Sequence, residues 1–106
     1  VDSIPTSANQ EDHVSMGTYS SRKARSIVSN AYNVIAIELF TAAQALEFTL
    51  PCQPGSGTKA AYEAIRNEVP FIEHDSVLYP YINKVRELAD GLHIISQVEE
   101  ITGKLF

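Results

Sequence analysis

Three observations predict an all-α fold. From Asn9 to Phe48 no proline interrupts the chain. Across that stretch apolar or small residues recur every three or four positions, at Val14, Gly17, Ser21, Ala24, Val28, Ala31, Ile35, Leu39, Ala42 and Leu46, which is the period of one helix face. A cluster of Pro51, Pro54, Gly55 and Gly57 then breaks regular structure before further helical spacing resumes. The β-branched runs are short and fall inside helical spacing, so no strand is predicted. The expected architecture is a long central helix followed by two or three shorter ones.

Taken in order, residues 1–8 are irregular, with Pro5 stiffening the entry. Asn9 reads as an N-cap with Asp12 at the third helical position, and Ser7 with Gln10 three residues on is the alternative. The long helix is predicted over 9–48. Its second half is apolar on more than one face, since Ile27, Val34, Ile37, Phe40 and Ala45 lie off the first stripe, and such a helix needs cover on several sides. About 38 residues rising ~1.5 Å each make a rod of ~57 Å, whereas a compact domain of this size has a radius of gyration of ~13 Å. Residues 49–106 are too few to wrap that rod. It must therefore break, with Gly17 the favoured point, or be covered by other chain.

Residues 49–57 form a linker and 58–106 hold the short helices. Thr58 or Ser56 caps a helix over 59–68 that pairs Lys59 with Glu63 and is ended by Pro70. His74-Asp75-Ser76 is a turn or cap. Pro80 suits a first helical position, and that helix runs to Asp90, where Gly91 stops or bends it. Leu92 to Thr102 is a final short helix with Gly103 as its C-terminal cap.

Composition narrows the function classes. Eight basic against thirteen acidic residues give a formal charge of −5, which disfavours binding to a phosphate backbone. Arg22, Lys23 and Arg25, the only basic cluster, read as a solvated helix face. The single cysteine, Cys52, excludes an internal disulfide framework and points to a reducing, cytoplasmic setting. The first residues carry no apolar run of a leader peptide. No stretch is expected to span a membrane; the nearest, Val34 to Leu50, contains Glu38, Gln44 and Glu47.

Asn9-Gln10-Glu11-Asp12-His13 packs five polar residues into little more than one helical turn. Polar first turns are common, because acids complement the positive end of the helix dipole. The functional alternative is a helix start that aims an amide, Gln10, and a carboxylate, Glu11, into a cleft, where the pair could hold an ammonium group or an imidazole. Zinc is disfavoured: His13 has no second histidine at three or four positions, and His74 and His93 lack ligand spacing.

The longer string Ile4-Pro-Thr-Ser-Ala-Asn-Gln-Glu-Asp-His-Val-Ser-Met-Gly17 closely resembles the signature of histidine ammonia-lyases, within the aromatic amino acid lyase family. Ala36-Ile37-Glu38-Leu39 with Ala42-Ala43-Gln44 resembles the family's long core helix. Ala61-Tyr62 through Val69-Pro70, then Asp75 and Leu78-Tyr79-Pro80, resemble its closing segment. Tyr81 stands where the family commonly has an acidic residue, and the tail from Leu92 matches poorly.

The resemblance implies a C-terminal piece of a helical-bundle lyase that eliminates ammonia from L-histidine to give urocanate. The family's electrophile is a methylidene-imidazolone (MIO) formed from an internal Ala-Ser-Gly upstream of the motif. This chain has no Ala-Ser-Gly, and Gly55-Ser56-Gly57 lies on the wrong side of the motif with the wrong first residue. The family's tyrosine base and carboxylate-binding arginine are likewise upstream. By the same likeness Gln10 and Glu11 bind substrate, Glu11 shuttles a proton, Asn9 caps and supports, and His13 could orient Glu11. Related phenylalanine and tyrosine lyases typically have Asn-Gln-Asp without this glutamate, so Glu11 points to histidine. A homotetramer with a central bundle is implied, which agrees with the rod argument. Two other readings stay open: a free-standing helical association module without catalysis, and a related MIO lyase or aminomutase.

Overall fold

A computed structural model of the chain describes Ala8, Gln10 and residues 16–49 and 51–105. Among these residues there are four helices and no strand: α1 (Gly17–Glu47), α2 (Ser56–Arg66), α3 (Tyr79–Asp90) and α4 (His93–Thr102). Among the described residues the long helix starts at Gly17, while the start expected at Asn9 lies outside them. Gln10 lies in a turn, Met16 is outside regular structure, and the Ser20 amide donates to the Met16 carbonyl at 2.9 Å. The physical reason is the glycine that had been the favoured breakpoint: it is costly within a helix and tolerated at its end.

The chain divides into two compact units, Val1–Ala31 and Tyr32–Phe106, with the boundary inside α1. In the first unit no described residue is buried, and Tyr19, Ile27 and Val28 are all more than half exposed. The second unit holds the core. Ala36, Phe40 and Ala43, at i, i+4 and i+7, form the buried stripe of α1. They join one cluster with Ala64 and Ile65 of α2, Val69 of the following turn, Val85 of α3 and Ile94 of α4. Val34 and Ile37, off that stripe, remain largely exposed.

By length and composition alone α1 is apolar enough to cross a bilayer, which corrects the expectation that no stretch reaches that threshold. The alanines from Ala31 to Ala45 raise the average that Glu38, Gln44 and Glu47 lower. Its buried stripe is nevertheless covered by protein.

The shorter helices fall close to their predicted positions, with informative differences at their ends. α2 begins at Ser56 and its N-cap is Gly55, with no side-chain cap bond, so neither Ser56 nor Thr58 plays that part. Packing draws Gly57 into the helix: a Cβ there would lie 3.1 Å from Thr102 Cγ2 and 3.6 Å from Val98 Cγ1, so α4 rests directly on the first turn of α2. Lys59 and Glu63 pair as expected, at 3.8 Å. Pro80 sits in the first turn of α3. Gly103, at φ 84°, closes α4 by donating its amide to the Glu99 carbonyl at 2.9 Å.

Between α3 and α4 the left-handed residue is Leu92, at φ 57°, while Gly91 has an ordinary φ of −79°. Gly91 is needed for space instead. A Cβ there would lie 2.8 Å from His93 Cδ2 and 3.2 Å from the Glu87 carbonyl oxygen.

Candidate functional site

Of the residues singled out in the polar motif, the structure describes Gln10, exposed and in a turn. Asn9, Glu11 and His13 lie outside the described residues. Two positions before Gln10, Ala8 has φ 53° and is exposed. The left-handed region is sparsely populated by residues with a Cβ, because that atom crowds the following carbonyl.

The densest polar cluster in the described residues is one the sequence did not announce, centred on Arg66. This side chain, only 12% exposed, ends α2 and reaches the end of α1, whose last turn has no basic residue of its own. Its Nη2 donates to the Ala43 carbonyl at 3.0 Å and to Gln44 Oε1 at 3.2 Å, while Nη1 donates to the Pro70 carbonyl at 3.0 Å. A guanidinium thus satisfies a carbonyl in the last turns of α1, where intrahelical donors run out. Nε faces Glu47 Oε1 at 3.1 Å, close enough for an ion pair but off the line of a hydrogen bond.

Gln44 completes the tie. Its amide donates to the Ile72 carbonyl at 2.7 Å and accepts the Ile72 amide at 3.2 Å, reading that residue as a neighbouring strand would. The Arg66 guanidinium also lies over the rings of Tyr62 and Phe71, 5.6 and 5.8 Å from their centroids.

The Tyr62 hydroxyl donates to Glu47 Oε1. That bond to a carboxylate, helped by partial burial, holds the phenol above its ordinary pKa of 10.0, against the opposing pull of Arg66. Tyr62 is therefore kept protonated at neutral pH and is poorly suited to act as a base. Glu47 and Tyr62 line a small pocket of about 70 Å³ with Leu46, Cys52, Gln53, Pro54 and Lys59. Arg66 is committed to backbone carbonyls, Glu47 to Arg66 and Tyr62, and Lys59 to Glu63. The cluster is built to fasten α1, α2 and the 69–72 segment together rather than to act on a small molecule. Its sequence signal was an aromatic and an arginine at i,i+4 ending α2, with an acid ending α1; helical spacing alone gave no reason to join them.

Comparison with known proteins bears on the chain as a whole. The aromatic amino acid lyase family matches residues 1–67, which include the whole polar motif. Histidine ammonia-lyase 2 of Fusobacterium nucleatum is 51% identical over 105 residues, 99% of this chain and 20% of that protein. Histidine ammonia-lyase of Natranaerobius thermophilus is 50% identical over 105 residues, again 99% of this chain and 21% of that protein. Among solved structures, histidine ammonia-lyase from Trypanosoma cruzi superposes with a TM-score of 0.83 at 37% identity, covering 93% of this chain and 20% of that one. Tyrosine aminomutase from Streptomyces globisporus superposes with a TM-score of 0.78 at 30% identity, covering 93% of this chain and 19% of that one. The chain thus spans about a fifth of the length of these relatives. The likeness runs through the tail beyond Leu92, where the resemblance read from sequence was weak.

Proposed function

The chain belongs to the aromatic amino acid lyase family, and from that premise we propose that it is the segment of a histidine ammonia-lyase that brings an amide and a carboxylate to the active site. The observation that carries the reading is Asn9-Gln10-Glu11 inside a segment about half identical to proteins named for that activity. Gln10, exposed in its turn, holds and orients the substrate by hydrogen bonds. Glu11 meets the ammonium or imidazole of L-histidine and takes up or returns a proton there. Asn9 and His13 support the pair. The complete enzyme is a cytoplasmic homotetramer with no call for nucleic acid or membrane.

The family's MIO group supplies the electrophile that makes the amine a leaving group. The residues of this chain do not fit its formation. Gly55 is the N-cap of α2, and Ser56 and Gly57 form its first turn, where α4 packs against them. The chain by itself should give no urocanate from L-histidine.

The test is Glu11→Gln in the complete enzyme. The substitution keeps shape and hydrogen bonding but removes the charge and the transferable proton. Turnover followed by urocanate absorbance should fall by ~100 to 10,000-fold, with thermal melting nearly unchanged. Near-normal turnover would sink the proton-transfer role of Glu11.

A second reading keeps the scaffold and changes the chemistry, and the aminomutase likeness supports it. Product analysis separates the two: urocanate from histidine for the lyase, a β-amino acid from tyrosine for the mutase.

A further inference from the structure

α1 is one helix from Gly17 to Glu47, so residues four apart along it stand in a row on its surface. Two such rows run side by side. One is Lys23, Ile27 and Ala31, the other is Asn30, Val34 and Glu38, and every one of these residues is exposed. Ile27 is 58% and Val34 64% exposed. Val34 and Glu38 point away from the buried stripe of Ala36, Phe40 and Ala43.

The two rows answer each other about the midpoint between Asn30 and Ala31. Lys23 corresponds to Glu38, Ile27 to Val34, and Ala31 to Asn30. A cation thus matches an anion, and one branched aliphatic side chain matches another. Lys23 and Glu38 cannot pair within one helix, because their separation at a rise of ~1.5 Å per residue is ~22 Å. Neither pairs with any other described residue.

We infer that this face of α1 docks on the same face of a second copy of the chain, antiparallel, about a two-fold axis at the Asn30–Ala31 midpoint. A two-fold contact is self-complementary, so that if residue i meets j, then j meets i. The antiparallel arrangement sets each Lys23 against the partner's Glu38 and each Ile27 against the partner's Val34. A parallel one would set lysine on lysine and glutamate on glutamate, which repel. Packing of i+4 rows from two helices is the commonest helix pairing, with axes ~8–10 Å apart, and the small Ala31 at the crossing suits so close an approach. The ion pairs at the two ends select direction and register, while Ile27 and Val34 supply the apolar area.

The experiment uses the complete enzyme in a Cys52→Ser background. Ile27→Cys with Val34→Cys is oxidised mildly, and the joined peptides are identified by mass spectrometry. Disulfides from position 27 of one copy to position 34 of another are expected. They cannot form within one copy, where those positions are ~10 Å apart along the helix, beyond the ~7 Å limit between bridged Cα atoms. Bonds joining only like positions would show a parallel pair, and no bond between copies would show that other chain covers the face. Either result overturns the inference.

Charge reversal is the independent check. Lys23→Glu should weaken association by roughly 10-fold, read by sedimentation as the concentration at which the oligomer dissociates. Adding Glu38→Lys to the same chain should restore the parental value. A double variant that fails to recover overturns the inference, as does a Lys23→Glu chain that associates like the parent.

Discussion

Arg66 carries more of the second unit's organisation than any other single residue. Its fork serves the Ala43 and Pro70 carbonyls and Gln44 Oε1, while its charge faces Glu47. Arg66→Lys keeps the charge but loses the planar fork, and a lysine cannot serve three acceptors lying in different directions. The expected loss is about 2 kcal/mol, read as a lower urea midpoint at unchanged slope. An unchanged midpoint would mean the fork is replaced by water. Tyr62 gives a pH signature. Its phenol is raised above 10.0 chiefly by the hydrogen bond to Glu47. The protonated form is the one favoured in the folded state. Its stabilisation is therefore complete below about pH 10 and fades as pH rises through the raised folded value. The Tyr62→Phe chain should lack this alkaline component, and ultraviolet titration of the parent should show a late component that Tyr62→Phe removes. Neither role was legible beforehand. Glu47 and Gln44 were visible only as polar residues interrupting an apolar stretch, because their partners lie on a different helix and helical periodicity records only one helix at a time.

The predicted helices matched the observed ones wherever a local signal decided the matter. Pro80 stands in the first turn of α3, Gly103 closes α4, and Lys59 meets Glu63 within α2. Disagreement arose where packing overruled local chemistry. Two hydroxyl residues were available to cap α2, yet Gly55 does so, because α4 needs Gly57 inside the helix. At the α3–α4 turn the glycine's usual reason, positive φ, belongs to Leu92, while Gly91 makes room for the His93 ring. Gly91→Ala should therefore destabilise the chain by about 1–2 kcal/mol despite an allowed φ, because the Glu87 carbonyl oxygen cannot move without disturbing α3. Thermal melting of Gly91→Ala checks this. A rise in melting temperature, the usual effect of replacing an unstrained glycine, would show that His93 simply swings aside. The family was legible for a different reason: the motif at 9–13 is written as residue types in a fixed string, and family likeness reads strings without needing their three-dimensional partners.

At the scale of the whole chain, the exposed apolar surface of α1 governs association. α1 is shortened by its start at Gly17 but still leaves Ile27, Val28, Val34 and Ile37 each about half exposed or more. Burying such surface is worth ~25 cal/mol per Å², and contiguous apolar surface on a helix invites cover. The chain should therefore self-associate, with a sedimentation coefficient that rises with concentration. Ile27→Asp with Val34→Asp should return it to a monomer without loss of helicity, since neither side chain belongs to the core. A parent chain that stays monomeric at high concentration would mean the exposed faces are tolerated as they stand.

The Arg66 tie also has a consequence in time. It joins residues far apart in the chain, Gln44 to Ile72 across 28 positions and Arg66 to Gln44 across 22. Its acceptors include a carbonyl near the end of one helix, and its donor stands at the end of another, so the fork cannot close until both ends exist. Interactions that form after the folding barrier leave the refolding rate alone and slow the escape from the native state. The fork is then a latch on lifetime. In Arg66→Lys the lost stability should appear almost entirely as faster unfolding, and the segment carrying Pro70 to Ile72 should be the first to exchange its amides with solvent.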